Sequence, residues 1–118
     1  MAALNIANST VVNGRTSVAN VTTVPTSIVS NPAASDDLIK LNTIYVHNRG
    51  NAAADISVLF VRGASTVVLA NAMTVPTRTT LTLLARDMTT YLEEGDGITA
   101  FASANSFLNI FVSYEFLA

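Results

Sequence analysis

Alternation of side chains near the C-terminus is the feature that most restricts the fold of this chain. After a turn of small residues at 104–106, one set of alternate positions consists of Ile110, Val112, Tyr114 and Phe116. The positions between them are Asn109, Phe111, Ser113 and Glu115. Successive side chains of a β-strand point to opposite faces, so a period of two indicates a half-buried strand. The chain is therefore predicted to end in a strand whose apolar face lies against a core.

Short strand-like segments of this kind recur along the chain and are separated by turn residues. They cover residues 38–47, 55–62, 66–69, 77–84 and 98–103, and a turn with two glycines lies at 93–97. No segment shows the i, i+3, i+4, i+7 spacing of an amphipathic helix over more than two turns. Strands spaced about 8–12 residues apart are typical of β-sandwiches and jelly rolls. The predicted fold is an all-β, antiparallel sandwich of the jelly-roll kind.

Two of these segments are irregular. In the segment 38–47, Ile39, Leu41 and Tyr45 share one phase of the alternation, and Ile44 and Val46 share the other. That strand is therefore either buried on both faces or bulged near Asn42. Residues 70–73 are mostly small or polar, and they are predicted to form a half-turn before Pro76.

The first 31 residues are rich in Thr, Asn, Ser and Val and contain one charged residue, Arg15. Asn13-Gly14 is a hairpin signal, because both residues tolerate the positive φ of a type I′ turn. Pairing outward from this turn leaves neither face consistently apolar, and a lone hairpin of that kind is marginal in water. Residues 1–31 are therefore predicted to form an extended arm that becomes ordered against a neighbouring subunit, ahead of a sandwich domain at 32–118. A flexible tail or an ordinary first strand of the sandwich is the alternative.

Candidate contact residues follow from this division of the chain. The candidate anchors of the arm are Val11, Val12, Val18 and Val21. Full burial of a valine contributes about 1.5–3 kcal/mol relative to exposure. Deletion of residues 1–31 is expected to leave a folded sandwich that no longer assembles. In the sandwich domain, Tyr114 and Phe116 are the candidate interface residues.

The chain has more apolar residues than one domain of its size needs. Charged residues are 12% of the sequence, against about 25% in an ordinary soluble domain, and hydrophobic residues are 50%. No run approaches the ~18 apolar residues of a membrane-spanning helix, so a membrane partner is not expected. Obligate interfaces between proteins resemble a domain core cut in half. A homo-oligomer or a larger protein assembly is therefore predicted.

Charge and cysteine content argue against further classes of function. The net charge is −2, and the six basic residues are scattered without forming a stripe that could neutralise phosphates, so nucleic-acid binding is not expected. Cysteine is absent, so neither disulfides nor thiolate metal sites hold the fold. Residues 1–5 contain neither a basic n-region nor an apolar h-region, which favours use without export.

Residues that could carry catalysis or bind a metal are few. His47 is the only histidine, and no Gly-x-Ser-x-Gly elbow presents a serine, so a catalytic triad is not expected. Glu93, Glu94 and Asp96 form the densest acidic group, of the kind that hard cations bind. The alternating Asp/Asn ligands of a calcium loop are missing, and the neighbouring glycines account for a tight turn with solvated acids. The sequence predicts no enzyme, no cofactor, no metal site and no small-molecule substrate.

Several sequence blocks follow one another in a distinctive order. They are LIKLNTIYV at 38–46, NAAADISV at 51–58, TVP at 74–76, YLEEGD at 91–96, ASA at 102–104 and VSYE at 112–115. In these blocks, from about residue 32 to the C-terminus, the chain resembles a family of small, decoration-type virion structural proteins of tailed bacteriophages, especially those of marine and cyanobacterial hosts. The first 31 residues fall outside the resemblance.

The resemblance implies a component of the virion, assembled in the host cytoplasm, without fixing its position in the particle. The expectation is a protein that decorates or cements the capsid, with the major capsid protein or another virion protein as its partner and further copies of itself as neighbours. A component of a neck, tail or baseplate ring is one alternative. A glycan-binding adhesion module is another, and it predicts an aromatic platform on exposed loops.

Overall fold

The computed structural model describes residues 9–88 and 90–118, which form nine β-strands and one short 3₁₀ turn. The strands are β1 (Val12–Val21), β2 (Thr26–Ser30), β3 (Leu38–Asn48), β4 (Ala54–Arg62), β5 (Ser65–Val75), β6 (Thr80–Leu84), β7 (Thr90–Leu92), β8 (Asp96–Ala102) and β9 (Leu108–Leu117). The 3₁₀ turn, Arg86–Met88, separates β6 from β7. Neighbouring strands pair antiparallel throughout. The predicted all-β sandwich is confirmed.

The strands form two sheets with the connectivity of a jelly roll. Sheet A has the order β1-β9-β3-β6, with β7 also paired to β3, and sheet B has the order β2-β8-β4-β5. If β6 and β7 count as one interrupted strand, the first strand pairs with the last, the second with the last but one, and so on inward to β4 and β5. The chain is thus one long hairpin folded over on itself, which is the jelly-roll arrangement.

The core lies between the two sheets and is built from the inward phase of each strand. Its largest fully buried side chains include Leu41, Ile44, Ile56, Leu92, Ile98, Leu108 and Ile110. The register of β3 with β9 shifts between Leu41 and Thr43, so Asn42 is the extra residue of a bulge. The apolar positions before and after Asn42 therefore both face the core, so of the two alternatives predicted from the sequence the bulge is the one observed.

Residues 12–30 form strands of both sheets, and here the structure corrects the predicted arm. β1 pairs with β9 along its whole length, and β2 pairs with β8. Val21 and Val29, one from each strand, lie in the core. In the described residues, the boundary predicted between residues 31 and 32 therefore does not separate an arm from a domain, and β1 is an ordinary first strand. Residues 1–8 of the predicted arm lie outside the described residues.

Two turns predicted from local sequence lie inside strands. Asn13 and Gly14 pair with residues of β9 as part of β1. The predicted half-turn at 70–73 lies inside β5, where Ala72 has a φ of 48° and the register with β4 shifts twice. In both places the pairing of a long strand outweighs the turn preference of a few residues.

Candidate assembly surface

The outer face of sheet A carries a row of side chains that crosses β1, β9, β3 and β6. Register places Val18 of β1 beside Phe111 of β9, and Phe111 beside Tyr45 of β3. The Tyr45 and Phe111 rings are stacked, with centroids 4.9 Å apart and planes 9° apart. Thr82 of β6 pairs with Tyr45 and completes the row. These four residues, Val18, Phe111, Tyr45 and Thr82, are termed the outer row.

The face around the outer row has almost no charge. By register it also contains Thr16, Asn20, Thr43, His47, Thr80, Asn109 and Ser113. Its ionic residues are Lys40 and Glu115, whose Nζ and Oε2 atoms lie 4.0 Å apart. An ion pair at the surface contributes little to stability, but this one leaves the face without net charge. Exposed Tyr91 of β7 lies beside Lys40 and extends the aromatic surface.

His47 also lies on this face. Its Nδ1 is 3.0 Å from the hydroxyl oxygen of Thr80, and the imidazole is half-buried. The contact with a threonine in place of a carboxylate gives the ring no orienting acid of the kind that a catalytic triad requires.

The four valines predicted as anchors have different environments. Val12 and Val18 are on the outer face of β1 and are each 60% exposed. Val11 precedes the strand and is also exposed, and its backbone N–H donates to the carbonyl of Ala118. Val21 is only 2% exposed and belongs to the core, so it is not available as an anchor. Three of the four side chains thus lie at the surface.

Tyr114 and Phe116, predicted as interface residues of the domain, face inward. Both are half-buried and pack against the core, and the Arg15 guanidinium lies over the Phe116 ring at 4.9 Å from its centroid. They stabilise one end of the sandwich, and their contact with a partner stays a prediction. Sequence reasoning missed Phe111 and Tyr45 as surface residues. The available signal was an aromatic side chain in the otherwise polar phase of β9.

The acidic turn before β8 contains an ion pair in which Asp96 is buried and Arg62 is exposed. Arg62 donates from Nε and Nη2 to the two carboxylate oxygens of Asp96, at 3.0 and 2.8 Å. The backbone N–H of Glu93 donates to the same carboxylate. The hydrogen bond and the charge of Asp96 raise the pKa of the Arg62 guanidinium above its ordinary value. Asp96 is thus a buried link between β4 and β8, and the prediction of a solvated acid holds for Glu93 but is wrong for Asp96.

Two further kinds of site were sought within residues 9–88 and 90–118. No group of three or more His, Asp or Glu side chains there is arranged to hold a metal ion. No helix in the same residues is long and apolar enough to cross a membrane.

Comparison with known proteins finds matches to this chain among solved structures. No protein-family model matches the chain, and no curated protein matches it. Two crystal structures of a pentameric capsid protein isolated from metagenomic phage sequences align with 86% of this chain, at 17% identity and a TM-score of 0.41 each. The aligned chain spans 59% of one of these proteins and 60% of the other, which is less than two thirds of their length.

Proposed function

We propose that this protein is a structural component of a bacteriophage virion and that it decorates or cements the capsid through the outer face of sheet A. The observation that carries the proposal is a nearly uncharged sheet face with a stacked aromatic pair at its centre and exposed valines at its margin. The centres of protein interfaces are enriched in aromatic residues and depleted of charge, as this face is. The sequence resemblance to small virion proteins supports another virion protein as the partner.

The dimensions of the face suit a modest contact that is repeated many times. Four strands about 4.8 Å apart and about 34 Å long give a face of roughly 650 Å². This is slightly below the ~800 Å² that each partner buries in a standard interface. Copies that also contact one another on a shell would gain affinity from multivalency.

The number of copies per virion distinguishes a capsid-decorating protein from a component of the neck, tail or baseplate. A protein that decorates the shell is expected in numbers comparable with the capsid subunits, whereas a neck, tail or baseplate ring contains a small number set by its symmetry. Quantitative mass spectrometry of purified virions distinguishes the two. The glycan-binding alternative requires aromatic residues on exposed loops. Phe107 is the one aromatic residue between the described strands, and it packs against Gly50, so the loops give this alternative little support.

Matched substitutions on the two sheets test the proposed face. Thr82 lies in the outer row, and Thr66 lies on β5 of sheet B; both are exposed. Thr82→Asp would place an unpaired charge in an apolar contact, so we expect its affinity for shells assembled without this chain to fall about tenfold or more. Thr66→Asp is expected to bind as the unaltered chain does. Equal binding by both variants, or weaker binding by Thr66→Asp alone, would contradict the proposal.

A further inference from the structure

The edges of the two sheets differ in how well they are protected from pairing. An edge strand exposes unpaired backbone N–H and C=O groups, and proteins commonly shorten, bulge or interrupt such strands. In the described part of the chain, three edges have these features. β2 has five residues and a register shift, and β5 has two register shifts. The edge of sheet A opposite β1 is divided between β6 and β7 by the 3₁₀ turn.

The fourth edge, β1, is long and regular. It has ten residues, pairs with β9 without a register shift, and contains neither proline nor lysine. Its one charged residue, Arg15, is in the inward phase of the strand, with its guanidinium over the Phe116 ring. Val12 and Val18 are in the outward phase and are more than half exposed. β1 thus has no bulge, interruption, proline or lysine to keep it from pairing, and its one inward-pointing charge, Arg15, is held over the Phe116 ring.

We propose that β1 pairs with β1 of a second copy, antiparallel across a two-fold axis, so that sheet A continues through a dimer. A two-fold contact brings the same edge of both copies together, and the free donors of each strand then meet the free acceptors of the other. Ten residues at about 3.4 Å each span about 34 Å, and the molecule is 20 Å across its shortest axis. The side of the sandwich along β1 therefore offers at most about 700 Å² per partner, against the ~800 Å² of a standard interface.

The side chains of β1 restrict where the axis passes. Directly opposed residues of an antiparallel pair point to the same face of the sheet. The two-fold axis must therefore lie where one residue of β1 opposes the same residue of the second copy. An axis at Arg15 would oppose two arginines, which is destabilising. Thr16 and Ser17 are the positions nearest the middle of the strand, and an axis at either one pairs almost the whole of β1. This inference rests on the fold and does not depend on the proposed role in a virion.

Single cysteines test the predicted register, because the chain has no cysteine of its own. Opposed Cα atoms of an antiparallel pair lie about 4.5–5.5 Å apart, within the range that a disulfide spans. Under mild oxidation, we expect Thr16→Cys or Ser17→Cys to form a covalent dimer. Thr66→Cys, on the exposed edge strand β5, is the matched control and is expected to stay unlinked. The absence of linkage in both β1 variants, or equal linkage in the control, would overturn the register.

A charge on the same edge tests the dimer without covalent chemistry. We expect the unaltered chain to sediment as a dimer, and Thr16→Lys to weaken dimerisation about tenfold or more because it opposes like charges near the axis. Thr66→Lys is expected to keep the dimer, and circular dichroism checks that both variants fold. A monomeric unaltered chain, or a Thr16→Lys variant that dimerises normally, would overturn the proposal. A larger closed species that Thr16→Lys dissolves would also overturn it, because β1 would then pair with a different edge.

Discussion

Two buried asparagines hold the loops at opposite ends of the sandwich in the same way. Asn48 donates two hydrogen bonds from Nδ2, to the carbonyls of Ala52 and Val75, and its Oδ1 accepts from the N–H of Gly50. Asn31 likewise donates two hydrogen bonds to backbone carbonyls and accepts one, from the hydroxyl of Ser35. A carboxamide supplies the donors and the acceptor from one short side chain, which neither a carboxylate nor a hydroxyl does. These residues therefore stabilise the ends of the strands that form the candidate surface.

The isosteric change Asn48→Asp tests this function of the side chain. It places carboxylate oxygens against the carbonyls of Ala52 and Val75 in a fully buried position. We expect the free energy of unfolding to fall by about 3 kcal/mol or more, because buried groups lose their partners and a charge is buried. The measurement is urea unfolding at neutral pH. Exposed Asn51→Asp in the same loop is the control, and an equal loss in both variants would contradict the assignment.

At the scale of elements, β1 and β2 are predicted to be indispensable for folding. Removal of residues 1–31 would take away one strand from each sheet and two buried core side chains, Val21 and Val29. It would also expose the edges of β9 and β8. We therefore expect the truncated chain to lose its cooperative thermal transition, which reverses the outcome expected from the sequence alone. A folded truncated chain, seen by circular dichroism and dispersed amide resonances, would contradict the structure.

Two single substitutions in β1 compare the stability contribution of a core residue with that of a surface residue. Val21→Ala removes two methyl groups from a fully packed site, so we expect a loss of about 2 kcal/mol in the free energy of unfolding. Val18→Ala, on the outward phase of the same strand, is expected to change it by less than about 0.5 kcal/mol. Urea denaturation of both variants gives the comparison. Similar losses would mean that β1 does not have the inward and outward faces described above.

The sequence predicted strands where alternation is strong and failed where pairing between distant segments decides the structure. β9 was identified because its apolar residues alternate regularly, and in β3 a change of phase gave the bulge near Asn42 as one of two alternatives. β1 has no such pattern, since its inward face includes Asn13, Arg15 and Ser17, and only its pairing with β9 makes it a strand. The outer row was hidden for a related reason. Tyr45 shares the phase of Leu41 in the sequence, and it faces outward only because the bulge lies between them.

On the scale of the whole molecule, more than half of the charged residues lie outside the strands, mostly in loops at the ends of the sandwich, and exposed apolar side chains lie on its strands. Asp36, Asp37, Glu93 and Glu94 lie in loops at one end, where the N–H of Asp36 donates to the carboxylate of Glu94. Arg49 and Arg78 lie in loops at the other end. The exposed apolar side chains on the strands include Val12, Val18, Val67, Val68, Met73 and Tyr91. Contacts through the sides would therefore be driven by apolar burial, with little electrostatic attraction.

This distribution predicts that the proposed contacts depend weakly on salt. Exposed charges are screened over about 8 Å at physiological ionic strength, and apolar burial is not weakened by sodium chloride. Affinity for capsid shells is therefore expected to change less than about threefold between roughly 50 and 500 mM NaCl, and to rise in sulfate. Lys40→Glu, which leaves Glu115 unpaired and gives the outer face a negative charge, is expected to make binding salt-dependent. A loss of about tenfold or more in the unaltered chain over the same range would assign the contact to the charged ends of the molecule.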